Sequence, residues 1–194
     1  MNRSSNYNMI EKIENLFFLI LTKLLFKSAR LIRFPVYLRG GQYMDLGNQL
    51  TLGRYCRFDV LGNHKSKKLV FGRNVCIGDY VRISCVEKIE VGNDVLIGSR
   101  VLIIDNSHGN YAGENQDSPL VPPNHRGVHS SPILIGDNVW IGEGVVIQKG
   151  VTIGSGSIIA ANTVITKNVP SNCIVAGLPG KVIKEYNFEK RVWI

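Results

Sequence analysis

Three of the four histidines of this 194-residue chain lie within one stretch, residues 106–132. An imidazole titrates near neutrality, so a histidine in this stretch could act as a general base that takes a proton from a weak nucleophile. Three neutral imidazoles with an open position would also suit a zinc ion. The three are His108, His125 and His129. The residue types alone leave both kinds of site open.

The composition indicates an acidic partner. The chain has 23 Lys and Arg against 15 Asp and Glu, a formal net charge of +8. Nucleic acid, an anionic membrane surface and a phosphorylated cofactor are all candidates. No Lys/Arg-rich block is interleaved with aromatic residues, so we expect no nucleic acid. The cysteines show no CxxC spacing and no disulfide framework, which is typical of the cytoplasm. They are Cys56, Cys76, Cys85 and Cys173.

A six-residue repeat must position the reactive side chains. From Ile135 to Val169, six consecutive units begin with isoleucine, and their fifth place is always Val, Ser or Thr. This period is typical of a parallel β-helix, whose first-place aliphatic residues point into the prism. Less regular six-residue units begin after Phe34-Pro35, and residues 106–132 interrupt the repeat. A long excursion in a regular solenoid is usually functional.

The two ends of the chain have other patterns. Apolar residues recur at helical spacing from Met9 to about Ala29. This helix is too short and too charged to span a bilayer, and it lacks a secretory cleavage site. It either packs on the body or a neighbouring subunit, or lies in a membrane interface with its basic residues toward anionic lipid. The predicted division is 1–34 (tail and amphipathic helix), 35–183 (β-helix with the 106–132 loop) and 184–194 (a short helix or tail covering the open end).

Four segments resemble the hexapeptide-repeat acyltransferases. Within that family the resemblance is to maltose/galactoside-type sugar O-acetyltransferases and to enzymes that acetylate O-antigen and capsular polysaccharide. It covers about residues 35–186 and implies an all-β, left-handed parallel β-helix. It also implies a homotrimer with active sites between subunits, acetyl-CoA as co-substrate and no metal. The segments are Val91–Gly98, Asp105–Gly109, Ile135–Gly142 and Ala176–Ile183.

The resemblance assigns roles to individual residues. His108 matches the family's catalytic histidine, which would take the proton of a sugar hydroxyl while backbone N–H groups stabilise the oxyanion. Asp105 and Asn106 are candidates for orienting its ring. Glu143 and Ala161 would contact CoA through their backbones, and the lysines would meet its phosphates. The positions that match CoA contacts are Trp140, Glu143, Ala161, Thr166, Lys167, Lys181 and Lys184.

The acceptor side departs from the family. Relatives often carry an asparagine where this chain has Gly78, so the adjacent Asp79 is the candidate substitute. Residues 109–132 would form a lid that excludes water and selects the acceptor. The candidate sugar contacts in that lid are Tyr111, His125, Arg126 and His129.

These features predict an O-acetyltransferase that moves an acetyl group from acetyl-CoA to a sugar hydroxyl in surface-polysaccharide biosynthesis. One alternative is acetylation of the amine of a nucleotide-linked amino sugar, although such enzymes commonly carry an N-terminal nucleotide-sugar-binding domain. Another is a γ-carbonic-anhydrase-like zinc protein, disfavoured because two of the three histidines lie in a Pro/Gly-rich loop. A third is a non-enzymatic trimeric scaffold docked to a membrane complex through residues 9–33.

Overall fold

The computed structural model describes residues 7–63 and 65–194. The chain winds into a triangular prism in which each turn, or coil, contributes one short parallel strand to each of three faces. Face one contains β1 (Leu31–Ile32), β4 (Thr51–Leu52), β7 (Cys76–Ile77), β10 (Leu96–Ile97), β15 (Trp140–Ile141), β18 (Ile158–Ile159) and β20 (Cys173–Ala176). Face two contains β2 (Tyr37–Arg39), β5 (Arg57–Val60), β8 (Arg82–Cys85), β11 (Leu102–Ile104), β16 (Val146–Ile147) and β19 (Val164–Ile165). Face three contains β3 (Met44–Asp45), β6 (Leu69–Phe71), β9 (Ile89–Val91), β14 (Ile133–Ile135) and β17 (Thr152–Ile153).

Two further strand pairs lie outside the prism faces. Strands β12 (Asn106–His108) and β13 (Val128–Ser130) form an antiparallel ribbon within the predicted loop. Strands β21 (Lys181–Asn187) and β22 (Val192–Trp193) form a second one at the C-terminus. Short 3-10 turns occupy Gly41–Tyr43 and Pro123–His125.

The repeat register places the core as predicted. The first-place isoleucines are almost fully buried, from 0% exposed at Ile141 to 3% at Ile135. Fifth-place side chains such as Val145 and Thr163 are buried as well. Because each strand lies directly above its equivalent one coil earlier, the apolar side chains form continuous columns along the prism axis.

Helix α1 (Met9–Leu25) confirms the predicted N-terminal helix but ends four residues before Ala29. It begins with a capping box in which Asn8 and Glu11 bond each other's backbone N–H. It ends where Phe26 adopts a non-helical conformation, and Ala29 is buried just before β1. In the described part of the chain, no helix has the length and apolar character needed to cross a membrane. Residues 1–6 of the predicted tail lie outside the described residues.

The domain boundaries differ from the prediction at both ends. The first coil begins at β1, before the predicted start at residue 35. Of the helix or tail predicted for residues 184–194, the helix does not form, because residues 181–187 form β21, which pairs antiparallel with β20. Edge-to-face contacts of Tyr186 with Phe188 and Trp193 hold the terminal hairpin together and favour the extended chain. The segment extends face one beyond β20, and its covering of the open end of the solenoid stays a prediction.

Candidate active site

His108 ends the first strand of the ribbon that leaves face two. Its backbone lies opposite Val128 in the antiparallel pair, while its side chain is exposed. The carbonyl oxygen of His108 accepts a hydrogen bond from the Tyr111 hydroxyl at 2.7 Å. The ribbon continues at Gly109, whose N–H donates to the Gly127 carbonyl at 2.7 Å. The candidate base is therefore held by its backbone and free at its ring.

Asp105 fixes the root of this ribbon. Its carboxylate is fully buried and accepts backbone N–H bonds from Val86 at 2.8 Å, Glu87 at 2.8 Å and Lys88 at 3.0 Å. A buried carboxylate requires such partners, because its desolvation is otherwise very costly. These bonds tie Asp105 to the β8–β9 turn instead of the His108 ring. The predicted orienting role is therefore replaced by a structural one.

Asn106 has a similar role. Its side-chain amide donates to the Asp105 carboxylate at 3.0 Å and to the Ser84 carbonyl and hydroxyl at 3.2 Å each. These bonds attach the first ribbon residue to the preceding coil of face two. Asp105 and Asn106 thus position the strand that carries His108, and neither side chain is bonded to its imidazole.

Lys149 was not predicted as a functional residue, and it braces the same ribbon. Its ammonium donates to the Ser107 hydroxyl at 2.7 Å and to the His129 carbonyl at 3.3 Å. Ser107 and His129 face each other across the two strands, so one cation holds both. The only sequence signal is that this unit reads Gln148-Lys149-Gly150, where neighbouring units have Gly at the second place.

Two predicted sugar contacts help to shape the loop. Arg126 donates to the Tyr111 hydroxyl at 2.6 Å and to the Val121 carbonyl at 2.9 Å. Its guanidinium lies 5.8 Å from the centre of the Tyr111 ring. Because Tyr111 in turn donates to the His108 carbonyl, these side chains connect the loop to the candidate base.

The remaining histidines do not assemble a metal site. His129 precedes Ser130 on β13, and its side chain lies on the opposite face of the ribbon from that of His108. His125 sits in the 3-10 turn Pro123–His125. Across residues 7–63 and 65–194, no group of three or more His, Cys, Asp or Glu side chains is arranged to hold a metal ion. The zinc alternative therefore has no geometric support.

The buried cysteines are poor nucleophiles. Burial raises the pKa of the Cys56 thiol to about 11. Burial, with the neighbouring Asp105 charge, raises the pKa of Cys85 as well. Because the thiolate is the reactive form, neither side chain is a candidate for covalent catalysis near neutral pH.

Three of the predicted CoA contacts lie on face one and its first corner, the edge between faces one and two. Trp140 points outward and is 51% exposed, directly above the outward Leu96 at 49%. Glu143 follows at the first corner and contacts Arg100. Ala161 lies one coil further on, where Asn162 donates its N–H to the Glu143 carbonyl at 2.8 Å. The exposed apolar surface suits a pantetheine arm.

The other predicted CoA contacts divide into two groups. Lys181 and Lys184 are exposed on β21, which pairs with the last strand of face one. Thr166 and Lys167 are exposed after β19 at the second corner, between faces two and three. The second corner is also where the ribbon carrying His108 leaves the prism. The predicted CoA contacts are thus spread over face one, the first corner and the second corner.

Asp79 lies on the first corner, away from His108. Its carboxylate accepts the Arg54 N–H at 2.7 Å, and its own N–H donates to the Ser99 hydroxyl at 3.1 Å. It lines a cleft of about 410 Å³ between α1 and this corner. Asp79 is two coils below Glu143, so the two are about 10 Å apart along the edge. A single chain therefore brings Asp79 toward the CoA residues and not toward His108.

Comparison with known proteins supports the repeat and the enzyme class. Residues 132–167 match the family model of the bacterial transferase hexapeptide (six repeats). The chain is 38% identical over 175 residues to an Escherichia coli (strain K12) protein provisionally named the lipopolysaccharide biosynthesis O-acetyl transferase WbbJ, covering 90% of this chain and 88% of that one.

Two solved structures extend the comparison. A maltose O-acetyltransferase from Clostridium difficile 630 superposes with a TM-score of 0.62 at 27% identity, covering 92% of this chain and 89% of that one. A variant of AntD, an N-acyltransferase from Bacillus cereus in complex with dTDP-4-amino-4,6-dideoxyglucose and coenzyme A, superposes with a TM-score of 0.70 at 21% identity. That superposition covers 88% of this chain and 90% of AntD, and at that identity it speaks for the fold alone.

Proposed function

Because the chain belongs to the bacterial hexapeptide-repeat transferases, whose fold is the left-handed parallel β-helix, we propose that it transfers an acetyl group from acetyl-CoA to a sugar hydroxyl. The observation that carries the proposal is His108, exposed at its ring and braced at its backbone by Tyr111 and the β12–β13 pairing. The E. coli relative is named for lipopolysaccharide biosynthesis, and the C. difficile one for maltose. Surface polysaccharide is accordingly the proposed setting.

In the proposed reaction, His108 accepts the proton of the sugar hydroxyl as its oxygen attacks the thioester carbonyl. Backbone N–H groups stabilise the oxyanion of the tetrahedral intermediate. When the C–S bond breaks, the imidazolium returns its proton to the departing CoA thiolate, and the ester product is left on the sugar. The outward surface of Leu96 and Trp140 would hold the pantetheine arm, and Lys181 and Lys184 would meet the phosphates.

The proposal includes a homotrimer. His108 lies at the second corner of the prism, whereas Trp140, Glu143 and Asp79 lie along face one and the first corner. A site that contains both groups is completed if the second corner of one copy meets the first corner of the next. Cyclic packing of three identical prisms would create three such clefts.

Peripheral contact with a membrane surface through residues 9–33 also belongs to the proposal. It is supported by the apolar side chains of α1, of which Met9 and Ile10 are at least 70% exposed. Surface polysaccharides are assembled beside a membrane, so such contact fits the proposed setting.

Acetylation of an amine is less well supported. The N-acyltransferase neighbour shares 21% identity, whereas the relative named for O-acetyl transfer shares 38% over most of the chain.

The test is acetyl-CoA turnover against a panel of saccharides that includes neutral sugars, nucleotide-linked amino sugars and oligosaccharides. We expect CoA release only with hydroxyl acceptors, and a base-labile ester in the product. An amide product would replace the proposal by N-acetylation. If no saccharide increases CoA release above the rate in buffer, the proposal is wrong.

A further inference from the structure

Helix α1 packs on the prism through a largely polar side, on which Phe18 also lies next to Phe34. Thr22 is fully buried, and its hydroxyl accepts the Ile32 N–H at 2.8 Å. Glu14 pairs with Arg54 at 2.6 Å, and the side-chain amide oxygen of Asn15 accepts from the Arg33 Nε–H at 2.9 Å. These bonds fix the rotation of the helix about its axis. Its apolar side therefore faces away from the body of the protein.

That outward side is large and continuous. Eight apolar side chains of α1 are more than half exposed, from 54% at Ile20 to 73% at Met9. Most recur at spacings of three and four residues, which places them in one sector of the helix surface. Monomeric soluble proteins rarely expose contiguous apolar patches of more than roughly a few hundred Å². The eight, called the apolar sector below, are Met9, Ile10, Ile13, Leu16, Phe17, Ile20, Leu24 and Leu25.

The charges of the helix are sorted in the same direction. Both acidic side chains are held on the inner side, Glu11 by the Asn8 N–H and Glu14 by Arg54. The cations Lys12 and Lys23 are exposed beside the apolar sector. An apolar surface with a positive rim complements anionic lipid. A second copy packed through the same helix is a poorer partner, because it would bring its own exposed lysines close to Lys12 and Lys23.

The inner side of the same helix lines the cleft that contains Asp79. Glu11 and Glu14 form one wall of this cleft, and Gly78 and Asp79 form the other. One helix diameter, about 10 Å, separates the cleft from the apolar sector. A saccharide bound at Asp79 would therefore lie within reach of whatever surface the helix rests on.

We propose that α1 lies in the plane of an anionic bilayer and that the acetyl acceptor is a saccharide carried on that bilayer. The second half rests on the proposed function, whereas the first half stands on the helix alone. The β-helix would then be held in one orientation relative to the bilayer, with the cleft that contains Asp79 close to the lipid surface.

Lipid docking is tested by sedimentation with vesicles of phosphatidylcholine alone or with phosphatidylglycerol. The full chain should bind the anionic vesicles, and binding should weaken in high salt because the headgroup attraction is screened. The Leu16→Glu, Ile20→Glu variant should bind the anionic vesicles with an affinity at least about tenfold lower, since it places two anions in the apolar sector. The matched control is Leu120→Glu, Leu178→Glu, which adds the same charge at side chains 91% and 72% exposed outside α1.

Three outcomes would overturn the docking proposal. The wild-type chain could fail to bind anionic vesicles, or the two double variants could lose binding equally. The Leu16→Glu, Ile20→Glu variant could also change the sedimentation velocity of the lipid-free protein, which would make the apolar sector an interface between copies. Thermal melting of both variants verifies that they are folded.

The acceptor half is tested with the saccharide that the acceptor panel identifies, prepared as a water-soluble methyl glycoside and as a hexadecyl glycoside in anionic vesicles. We expect Leu16→Glu, Ile20→Glu to acetylate the methyl glycoside at the wild-type rate and the vesicle-borne glycoside at least about tenfold more slowly. Equal loss on both, or on neither, contradicts a bilayer-borne acceptor. Failure of acetylation by wild-type protein on every acceptor would instead refute the proposed function, and vesicle binding would still be scored separately.

Discussion

His108 combines a fixed backbone with a free ring, which is the arrangement that a general base requires. The ribbon pairing and the Tyr111 hydroxyl fix the position of the His108 backbone, from which the imidazole projects. Lys149 then ties the ribbon to the repeat by way of Ser107. Small displacements of a general base lower the reaction rate, because proton transfer requires the base to be within hydrogen-bonding distance of the proton that it accepts.

Lys149→Met tests this bracing. The substitution removes the charged bonds to Ser107 and the His129 carbonyl while keeping a flexible side chain. We expect kcat for acetyl transfer to fall about tenfold, with a melting temperature within a few degrees of wild type. Steady-state kinetics and calorimetry measure the two effects. The control is Lys65→Met, at an exposed lysine outside the helices and strands, and an equal effect of both substitutions would argue against a bracing role.

Residue identities could be predicted better than residue roles. The segment around His108 is distinctive enough to predict the candidate base. Asp105 was predicted beside it, but the sequence cannot show that its carboxylate collects N–H groups from residues 86–88. In the sequence, Lys149 looks like a solvent-exposed charge at a corner of the repeat. Its hydrogen-bond partners belong to the 106–132 segment, and only the structure shows that this segment folds back next to Lys149.

At the scale of elements, the coils position the CoA surface by stacking backbone on backbone. Gly142 has no side chain because the next coil leaves no room for one: a Cβ there would lie 2.6 Å from the Ala161 N. Gly98 is similarly placed beneath Glu143, whose N would be 2.7 Å away. The two backbone segments predicted to contact CoA therefore rest on these glycines.

Gly142→Ala should separate the coils at this corner. Overpacking against backbone atoms is expected to lower the free energy of unfolding by about 1–3 kcal/mol and to raise KM for acetyl-CoA more than it lowers kcat. Denaturant titration and initial rates are the measurements. The control is Gly41→Ala, where a new Cβ meets no atom within 4 Å. A stable Gly142→Ala protein with unchanged KM would show that the two coils have room for a side chain between Gly142 and Ala161.

The hexapeptide period predicts coils well and hairpins poorly. Each unit between Ile135 and Val169 contributes an inward aliphatic side chain, so fold and register follow from one rule. The C-terminal hairpin has no such rule, because its pairing depends on the edge strand β20 and on the aromatic contacts of Tyr186. The ribbon β12–β13 escaped prediction for the same reason, since its two strands are separated by about twenty residues with no period.

At the scale of the whole molecule, one prism carries two half-sites on different edges. His108 projects at the second corner, and Trp140 lies on face one beside the first. The sequence order gives no indication of this separation, because it depends on how many residues each coil uses. A trimer would join the second corner of one copy to the first corner of the next.

Mixed trimers test that arrangement. His108→Ala and Trp140→Ala homotrimers should each be nearly inactive. Co-assembly in equal amounts should restore about one quarter of the wild-type activity, because a quarter of the clefts then combine an intact His108 with an intact Trp140 from different copies. Activity is assayed after separating the mixture by size, with simple mixing of preformed homotrimers as the control. No recovery on co-assembly would place both residues in a site made by one chain.

The most direct measurement is the turnover number of His108→Ala with acetyl-CoA and the best saccharide acceptor. With the trimer verified by sedimentation, we expect kcat to fall by about 10²- to 10⁴-fold, the range typical of a lost general base. Formation of the sugar O-acetyl ester, followed by NMR, should fall in parallel with CoA release. Wild-type turnover in the His108→Ala trimer would contradict the account, because the ribbon would then position a residue that the reaction does not use.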